Sequence, residues 1–360
     1  MTIVGPPARA RAYAARVPDL VHPRQRPATP LPYVAVALLL ACCAGEPPDR
    51  ARPAVPPPRI AALDAEGLPA LVRGRVLLEE LGCVACHDGH QLDIDPASVL
   101  AIGPDLRTAG ARIDARYLHD YLTSPNTVAP GTVMPDLLRR WQGAELQGRV
   151  DALVHFVRSL SPTEAIADGP PDASAALRGF ALFARIGCRA CHDEQRPLQL
   201  GDKYSGASLQ AFLLAPHEAR PSRRMPDFGL SPSEAYDLAQ YLRGPGATPR
   251  PAAEQLDANK AERGRALFAE LRCASCHDVG GAAAPPPTTP PPLAALDASR
   301  GCLSGTVGPW PHYALTPAQR ADVRLALAKD AAKDAPAPTD EQRIQQALAQ
   351  RRCFACHKRG

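Results

Sequence analysis

Gly74-Arg75-Val76-Leu77-Leu78-Glu79-Glu80-Leu81-Gly82-Cys83-Val84-Ala85-Cys86-His87 holds the reading of this chain in one stretch. Leu71, Leu77, Leu78 and Leu81 recur at helical spacing, so the segment predicts a helix that runs straight into Cys-x-x-Cys-His. The pentapeptide returns as Cys188-Arg189-Ala190-Cys191-His192, Cys273-Ala274-Ser275-Cys276-His277 and Cys353-Phe354-Ala355-Cys356-His357. Gly74, Gly179 and Gly264 each stand nine residues before their first motif cysteine, a place that allows a second helix to cross closely. Apolar helices are expected late in each segment, over Val150 to Leu160, Ser233 to Leu242 and Ala318 to Ala328, each behind a polar first turn. No alternating apolar pattern suggests a sheet. The expected fold class is all-α, built as tandem domains on Pro/Ala-rich linkers.

The spacing of Cys-x-x-Cys-His is that of covalent haem c attachment. Two thiols add to the two vinyl groups of one porphyrin, and the adjacent His supplies a nitrogen to iron. A zinc ribbon wants its two Cys-x-x-Cys pairs about 15–20 residues apart. Here successive first cysteines lie 105, 85 and 80 residues apart. A thioredoxin-like redox motif expects a βαβ setting, and an iron–sulfur site expects clustered cysteines. The cofactor-binding residues are therefore Cys83, Cys86, Cys188, Cys191, Cys273, Cys276, Cys353 and Cys356, and the iron ligands are His87, His192, His277 and His357.

Beyond Met1, the chain has only Met134 and Met225, and proline follows each of them. Both lie downstream of a motif. A thioether is a soft sixth ligand that raises the reduction potential relative to a second imidazole. Met134 and Met225 are read as iron ligands, for the first and second motifs respectively.

The helix ending in Cys-x-x-Cys-His, Gly103-Pro104-Asp105-Leu106, the Met-Pro loop and the closing apolar helix together resemble class I cytochrome c domains. The resemblance covers most of residues 68–328. It implies that a carbonyl in the Gly-Pro-x-Leu loop holds the second nitrogen of the proximal His, which fixes ring orientation and basicity. The match is full in the first segment. The second has the motif and methionine but no Gly-Pro-x-Leu. The third keeps the loop and loses the thioether: the position 33 residues after His277 is Trp310, where Met225 stands 33 after His192. An indole N–H donates only and cannot bind iron. The third iron is expected either to take His312 or to remain five-coordinate, with Cys302 a weaker candidate.

The boundaries that follow are 1–41, a lipoprotein-type signal; 42–60, a proline-rich tether; and 61–165, 172–246 and 255–330, three haem domains. Residues 339–360 form an incomplete fourth haem-binding segment. After His357 only Lys358, Arg359 and Gly360 follow. Either the protein continues beyond them, into another haem domain or an enzyme module, or this haem takes its cover from earlier segments or a partner.

Arg24 and Arg26 precede an apolar run from Leu31 to Ala41, the order of a secretory signal and too short to span a membrane comfortably. Leu39-Leu40-Ala41-Cys42 resembles a lipobox, which would make Cys42 a lipidation site; ordinary signal cleavage near Ala41 or Ala44 is the alternative. Eight of the eleven cysteines sit in the motifs, which suits an oxidising, periplasmic compartment. The formal charge of +4 is carried by residues 1–41, so the remainder is balanced. That leaves no basic footprint for nucleic acid. The expected role is a membrane-anchored multihaem carrier passing electrons between redox protein partners, a donor and an acceptor. The alternative is a haem enzyme, peroxidase-like or a small-molecule reductase, working at the methionine-lacking haem.

Overall fold

A computed structural model describes residues 56–58, 60, 63, 68–89, 103–161, 170–192, 200–220, 225–244, 255–283, 290–330, 337–351, 353–355 and 357. The signal, Cys42, most of the tether and Cys356 lie outside the described residues. The described helices are α1 Ala70–Glu80, α2 Ala115–Thr123, α3 Gly143–Ser159, α4 Ala173–Arg185, α5 Gly206–Leu214, α6 Pro232–Arg243, α7 Ala258–Glu270, α8 Pro317–Asp330 and α9 Asp340–Gln350. Three further helices are single turns. The fold is all-α. Among the described residues extended pairing is limited to two isolated bridges, Ile113 with Tyr204 and Asp136 with His312. No described helix is long and apolar enough to cross a membrane.

Local sequence sets where the helices begin. Asp114, Asp172 and Asp257 cap α2, α4 and α7 by accepting from amides of the first turn. Ser231 with Glu234 and Thr339 with Gln342 form capping boxes on α6 and α9. Each satisfies amides that a helix start leaves without partners.

The three motif helices each cross a closing helix at their glycine. A Cβ on Gly74 would collide with the carbonyl of Asp322, one on Gly179 with that of Asp237, and one on Gly264 with that of Ala152. The close crossing anticipated from the glycines is present in all three. The partners are not those expected from chain order. α4 meets α6 within its own segment, but α1 packs on α8 and α7 packs on α3. Val72, Val76 and Leu77 are buried with Val323, Ala326 and Leu327, while Leu267 and Phe268 are buried with Val150, Leu153 and Phe156.

This corrects the boundaries 61–165 and 255–330: each supplies half of two cores, and the described helices belong to one unit, Pro53–Gly360. The side chains show why. Arg73, beside the crossing glycine of α1, holds Asp322 through two hydrogen bonds of 2.8 and 3.0 Å. Arg178 holds Asp237 in the same way at 2.8 and 2.7 Å. α3 has Ala152 at that register and offers Arg73 no acid. α7 instead places Lys260 against Asp151 at 2.7 Å and Phe268 against Phe156, with ring centroids 5.1 Å apart.

α9 joins the α1–α8 core. Arg75 binds Asp330 at 2.6 Å, both side chains less than a tenth exposed, and reaches Gln342 at 3.3 Å. Gln346 donates to Glu79 at 2.6 Å. The fourth motif thereby packs against the first helix, with Phe354 on its core.

Candidate haem centres

All four pentapeptides close the same turn. The amides of His87, His192, His277 and His357 donate to the carbonyl of the first motif cysteine at 3.0, 3.0, 3.0 and 2.9 Å. A left-handed residue opens the turn in the first three: Gly82, Gly187 and, unusually for a side-chain-bearing residue, Arg272 at φ 57°. In the first three motifs the turn brings the two cysteines and the His to the end of the helix. Among the described residues no cysteine is in a disulfide. Nor do three His, Cys, Asp or Glu side chains there converge as a site for a bare ion. In the first three motifs the sulfurs stand in pairs beside one imidazole, the set that a porphyrin with two vinyl groups requires.

Two imidazoles are held by proline carbonyls from far along the chain. His277 Nδ1 lies 3.0 Å from the carbonyl oxygen of Pro104, and His87 Nδ1 lies 2.7 Å from that of Pro291. A carbonyl only accepts, so in both rings Nδ1 carries the proton and Nε2 keeps its lone pair. The flanking backbone repeats as well: Leu106 N donates to Asp278 O and Leu293 N donates to Asp88 O, both at 2.9 Å. Pro291-Pro292-Leu293 thus stands in the register of Pro104-Asp105-Leu106. The sequence reading saw the first loop and missed the second, whose signal was the same proline–leucine spacing hidden in a proline run.

The exchange of helices carries the cavities with it. One cavity is walled by Cys273, Cys276, His277, Gly103, Pro104, Met134 and, from α3, Leu153 and Val157. The other, of about 550 Å³, is walled by Cys83, Cys86, His87, Cys302, Trp310, Tyr313 and, from α8, Val323 and Leu327. Met134 therefore shares a cavity with His277 and not with His87, although Cys86 of the first motif also lines it. Trp310 shares a cavity with His87 and not with His277, while its neighbours Pro311 and Tyr313 line both. Cys302 lines the His87 cavity, and His312 is not among the residues lining either one. The backbone of His312 instead pairs with Asp136, so the loops of Met134-Pro135-Asp136 and Trp310-Pro311-His312 run antiparallel between the two centres. Leu81, Gly82, Leu271, Arg272, Pro311 and Tyr313 line both cavities, so the centres share a wall.

Residues 261–302 match the Cytochrome c family model.

The match starts in α7, covers the third motif and continues through Pro291 to Cys302, so its two ends build different centres. It supports a c-type cytochrome with a haem-binding, electron-carrying role. Comparison with curated proteins and with solved structures gives no match.

The electrostatics suit this cytochrome c reading. Burial is the main cause that pushes the Cys83 and Cys273 thiols up to about 12 and Cys276 and Cys302 up to about 11. Cys83 is also raised by Cys302, Cys86 and Cys276, a sign of how closely the two centres meet. Apolar walls around paired thiols are what a hydrophobic macrocycle needs. Beside the His277 cavity stands a basic group of Lys203, Arg220 and Arg112. Burial alone would raise the Tyr204 phenol, but these cations outweigh it and hold it below its ordinary value. Burial, joined by Arg220, lowers Arg112. Such concentrated positive charge suits the carboxylates of a porphyrin.

The second motif keeps its own partners. Cys188 and Met225 pack on the α4–α6 core, and the Phe183 and His192 rings lie 6.4 Å apart. His217, to which the sequence assigned no role, places its Nε2 3.0 Å from the Met225 carbonyl and so anchors the methionine loop. The second role sequence reasoning missed is that of His155. It is fully buried on α3, and its Nδ1 accepts from the Asp257 amide at 3.1 Å, tying α3 to the start of α7. His357 is exposed and Cys353 half-buried in the fourth motif.

Proposed function

We propose that the chain is a multihaem c-type cytochrome that accepts electrons from one redox protein and delivers them to another. Haem c is held at Cys83/Cys86/His87, Cys188/Cys191/His192, Cys273/Cys276/His277 and Cys353/Cys356/His357. The observation that carries this reading is the repetition of one turn at all four motifs, with the imidazole proton engaged by a proline carbonyl at two of them. The bound group supplies reversible one-electron chemistry at iron. The chain's own residues do the rest. The Pro104 and Pro291 carbonyls orient His277 and His87 and raise their basicity. The apolar helices α3 and α8 exclude water from the two cavities. The shared wall of Leu81, Leu271 and Tyr313 sets the two centres side by side, so electrons need no separate carrier between them. Met225 and Met134 offer thioethers that favour the reduced state.

The reading extends to the compartment. A signal ending at Ala41 and a lipidated Cys42 place the protein in the periplasm, tethered to a membrane by the proline-rich segment 42–60. Its partners dock transiently, as electron-transfer proteins do.

Intact mass spectrometry of protein expressed in a periplasm with haem-attachment machinery tests this. The expected product carries four covalent haems and an acylated Cys42, and it is reduced by a small-molecule donor in discrete potentiometric steps. Colourless protein with free thiols would contradict the reading. A second reading, a haem enzyme, is favoured by one feature: among the described residues, no methionine lines the cavity beside His87.

A further inference from the structure

We propose that Met134 is the sixth ligand of the haem carried by Cys273, Cys276 and His277, and that the haem on Cys83, Cys86 and His87 is the centre that takes a small neutral exogenous ligand. This rests on the haem-binding reading above and assigns the roles of two of its sites.

The first half follows from three independent contacts. Met134 lines the cavity that contains His277. The loop that holds the His277 imidazole, Gly103-Pro104, comes from the same part of the chain as Met134. The helix that follows Met134, α3, is the one α7 packs on. Gly103 fits only because it has no side chain, since a Cβ there would collide with the Cys276 carbonyl and stand 2.7 Å from His277 Nδ1. The chain before and after Met134 thus builds the third motif's centre, although Val133 also packs on the α1–α8 core and Leu137 also lines the His87 cavity.

The second half follows from what stands opposite His87. The register position of the methionine is Trp310, whose indole N–H donates to the Thr306 carbonyl at 3.2 Å. Tyr313, the next aromatic in the wall, donates its hydroxyl to the Leu81 carbonyl at 3.0 Å. Neither side chain keeps a donor for an anion. Arg140, Arg272 and Arg300 also line the cavity, but Arg140 is paired with Glu270 at 3.5 Å and Arg300 with Asp297 at 3.2 Å, and among the described residues the rest of the wall is mainly aliphatic, including Leu78, Leu303 and Leu327. Such a pocket suits a small, neutral, apolar ligand with a lone pair for ferrous iron. Cys302 also lines it, with a thiol that burial holds protonated.

Carbon monoxide is the probe. Dithionite-reduced holoprotein is titrated and the Soret difference spectrum gives the number of haems that bind. In a Cys353→Ala/Cys356→Ala background, which removes the fourth haem and its own methionine-free iron, the protein is expected to bind one equivalent at a haem lacking methionine. In that background Cys83→Ala/Cys86→Ala should abolish the band, and Cys273→Ala/Cys276→Ala should keep it. Met134→Ala should create a second CO-binding haem. The reverse pattern, with the band lost in Cys273→Ala/Cys276→Ala, would overturn the assignment, as would wild type with haem present and no CO binding. Should a double variant fail to fold by circular dichroism, Cys83→Ala and Cys273→Ala replace it. Each keeps its haem on one thioether, and the remaining vinyl group extends conjugation and shifts that haem to the red. The CO complex should shift in Cys83→Ala and not in Cys273→Ala; the opposite result overturns the proposal. Cys302→Ala should leave the CO band in place, and a doubling of CO affinity or more would show that the thiol, rather than an outside ligand, completes the His87 haem. Protein without haem would remove the reading beneath the proposal, which its absent Soret band distinguishes from a failed assignment.

Discussion

His277 Nδ1 donates to the carbonyl of Pro104 across 173 residues of chain, at 3.0 Å. That bond makes Gly103 a sensitive position, because a methyl group there must displace the backbone of Cys276. Gly103→Ala should cost about 1–3 kcal/mol of stability, as overpacking does. It should also raise the midpoint potential of one haem only, because an imidazole with a weaker acceptor on Nδ1 donates less to ferric iron. Urea unfolding and potentiometric titration check both; a shift of several haem potentials together would contradict the local account.

The helix crossings divide glycines into two kinds. Gly264 abuts the Ala152 carbonyl, whereas exposed Gly148 in α3 has nothing near its missing side chain. Gly264→Val should destabilise by about 3 kcal/mol or more by forcing α7 off α3. Gly148→Ala should stabilise by about 0.5–1 kcal/mol through helix propensity alone. Denaturant midpoints of the two variants, moving in opposite directions, are the readout.

Arg75 and Asp330 form an ion pair under a tenth exposed, bonded at 2.9 and 2.6 Å. Removing one member of such a buried pair leaves a costly charge, so Asp330→Ala should lose about 3–5 kcal/mol. The Arg265–Glu262 pair on the surface of α7 is the control, and Glu262→Ala should change thermal stability little. Because Arg75 also reaches Gln342, Asp330→Ala should further increase proteolysis of α9.

Acid weakens the helix starts in a defined window. Amides of Ala175 and Lys260 are the main causes that hold the carboxyls of Asp172 and Asp257 below the ordinary aspartate value of 3.8. The unfolded chain then binds protons before the folded one as pH falls. The stability these caps add is complete above 3.8 and disappears as pH drops through their lower folded values. Asp257→Asn keeps an acceptor at every pH and should flatten the acid side of the stability curve, read by circular dichroism. An unchanged slope would show that this cap does not titrate.

Much of this was legible in the sequence. Leu77, Leu78 and Leu81 gave the motif helix, Gly74, Gly179 and Gly264 gave the crossings, and the spacing of Cys83, Cys86 and His87 gave the chemistry. The choice of partners was not legible. Three closing helices offer similar apolar faces to three similar glycines, and any of them would serve the hydrophobic core. What separates them is a handful of charged and aromatic contacts: Arg73 with Asp322, Lys260 with Asp151, Phe156 with Phe268. These lie over a hundred residues apart, and no periodicity within a segment reports them. The register comparison that placed Trp310 where a methionine was due was sound, but the structure gives that loop to His87 instead of His277.

The exchange of partners between the first and third motifs is the centre of this account, and carbodiimide cross-linking of monomeric, haem-loaded protein tests it most directly. Lys260 Nζ lies 2.7 Å from Asp151, so peptide mapping should recover a zero-length Lys260–Asp151 link at high yield. Absence of that link, with Lys260 joined only to acids within residues 255–330, would contradict the crossed arrangement.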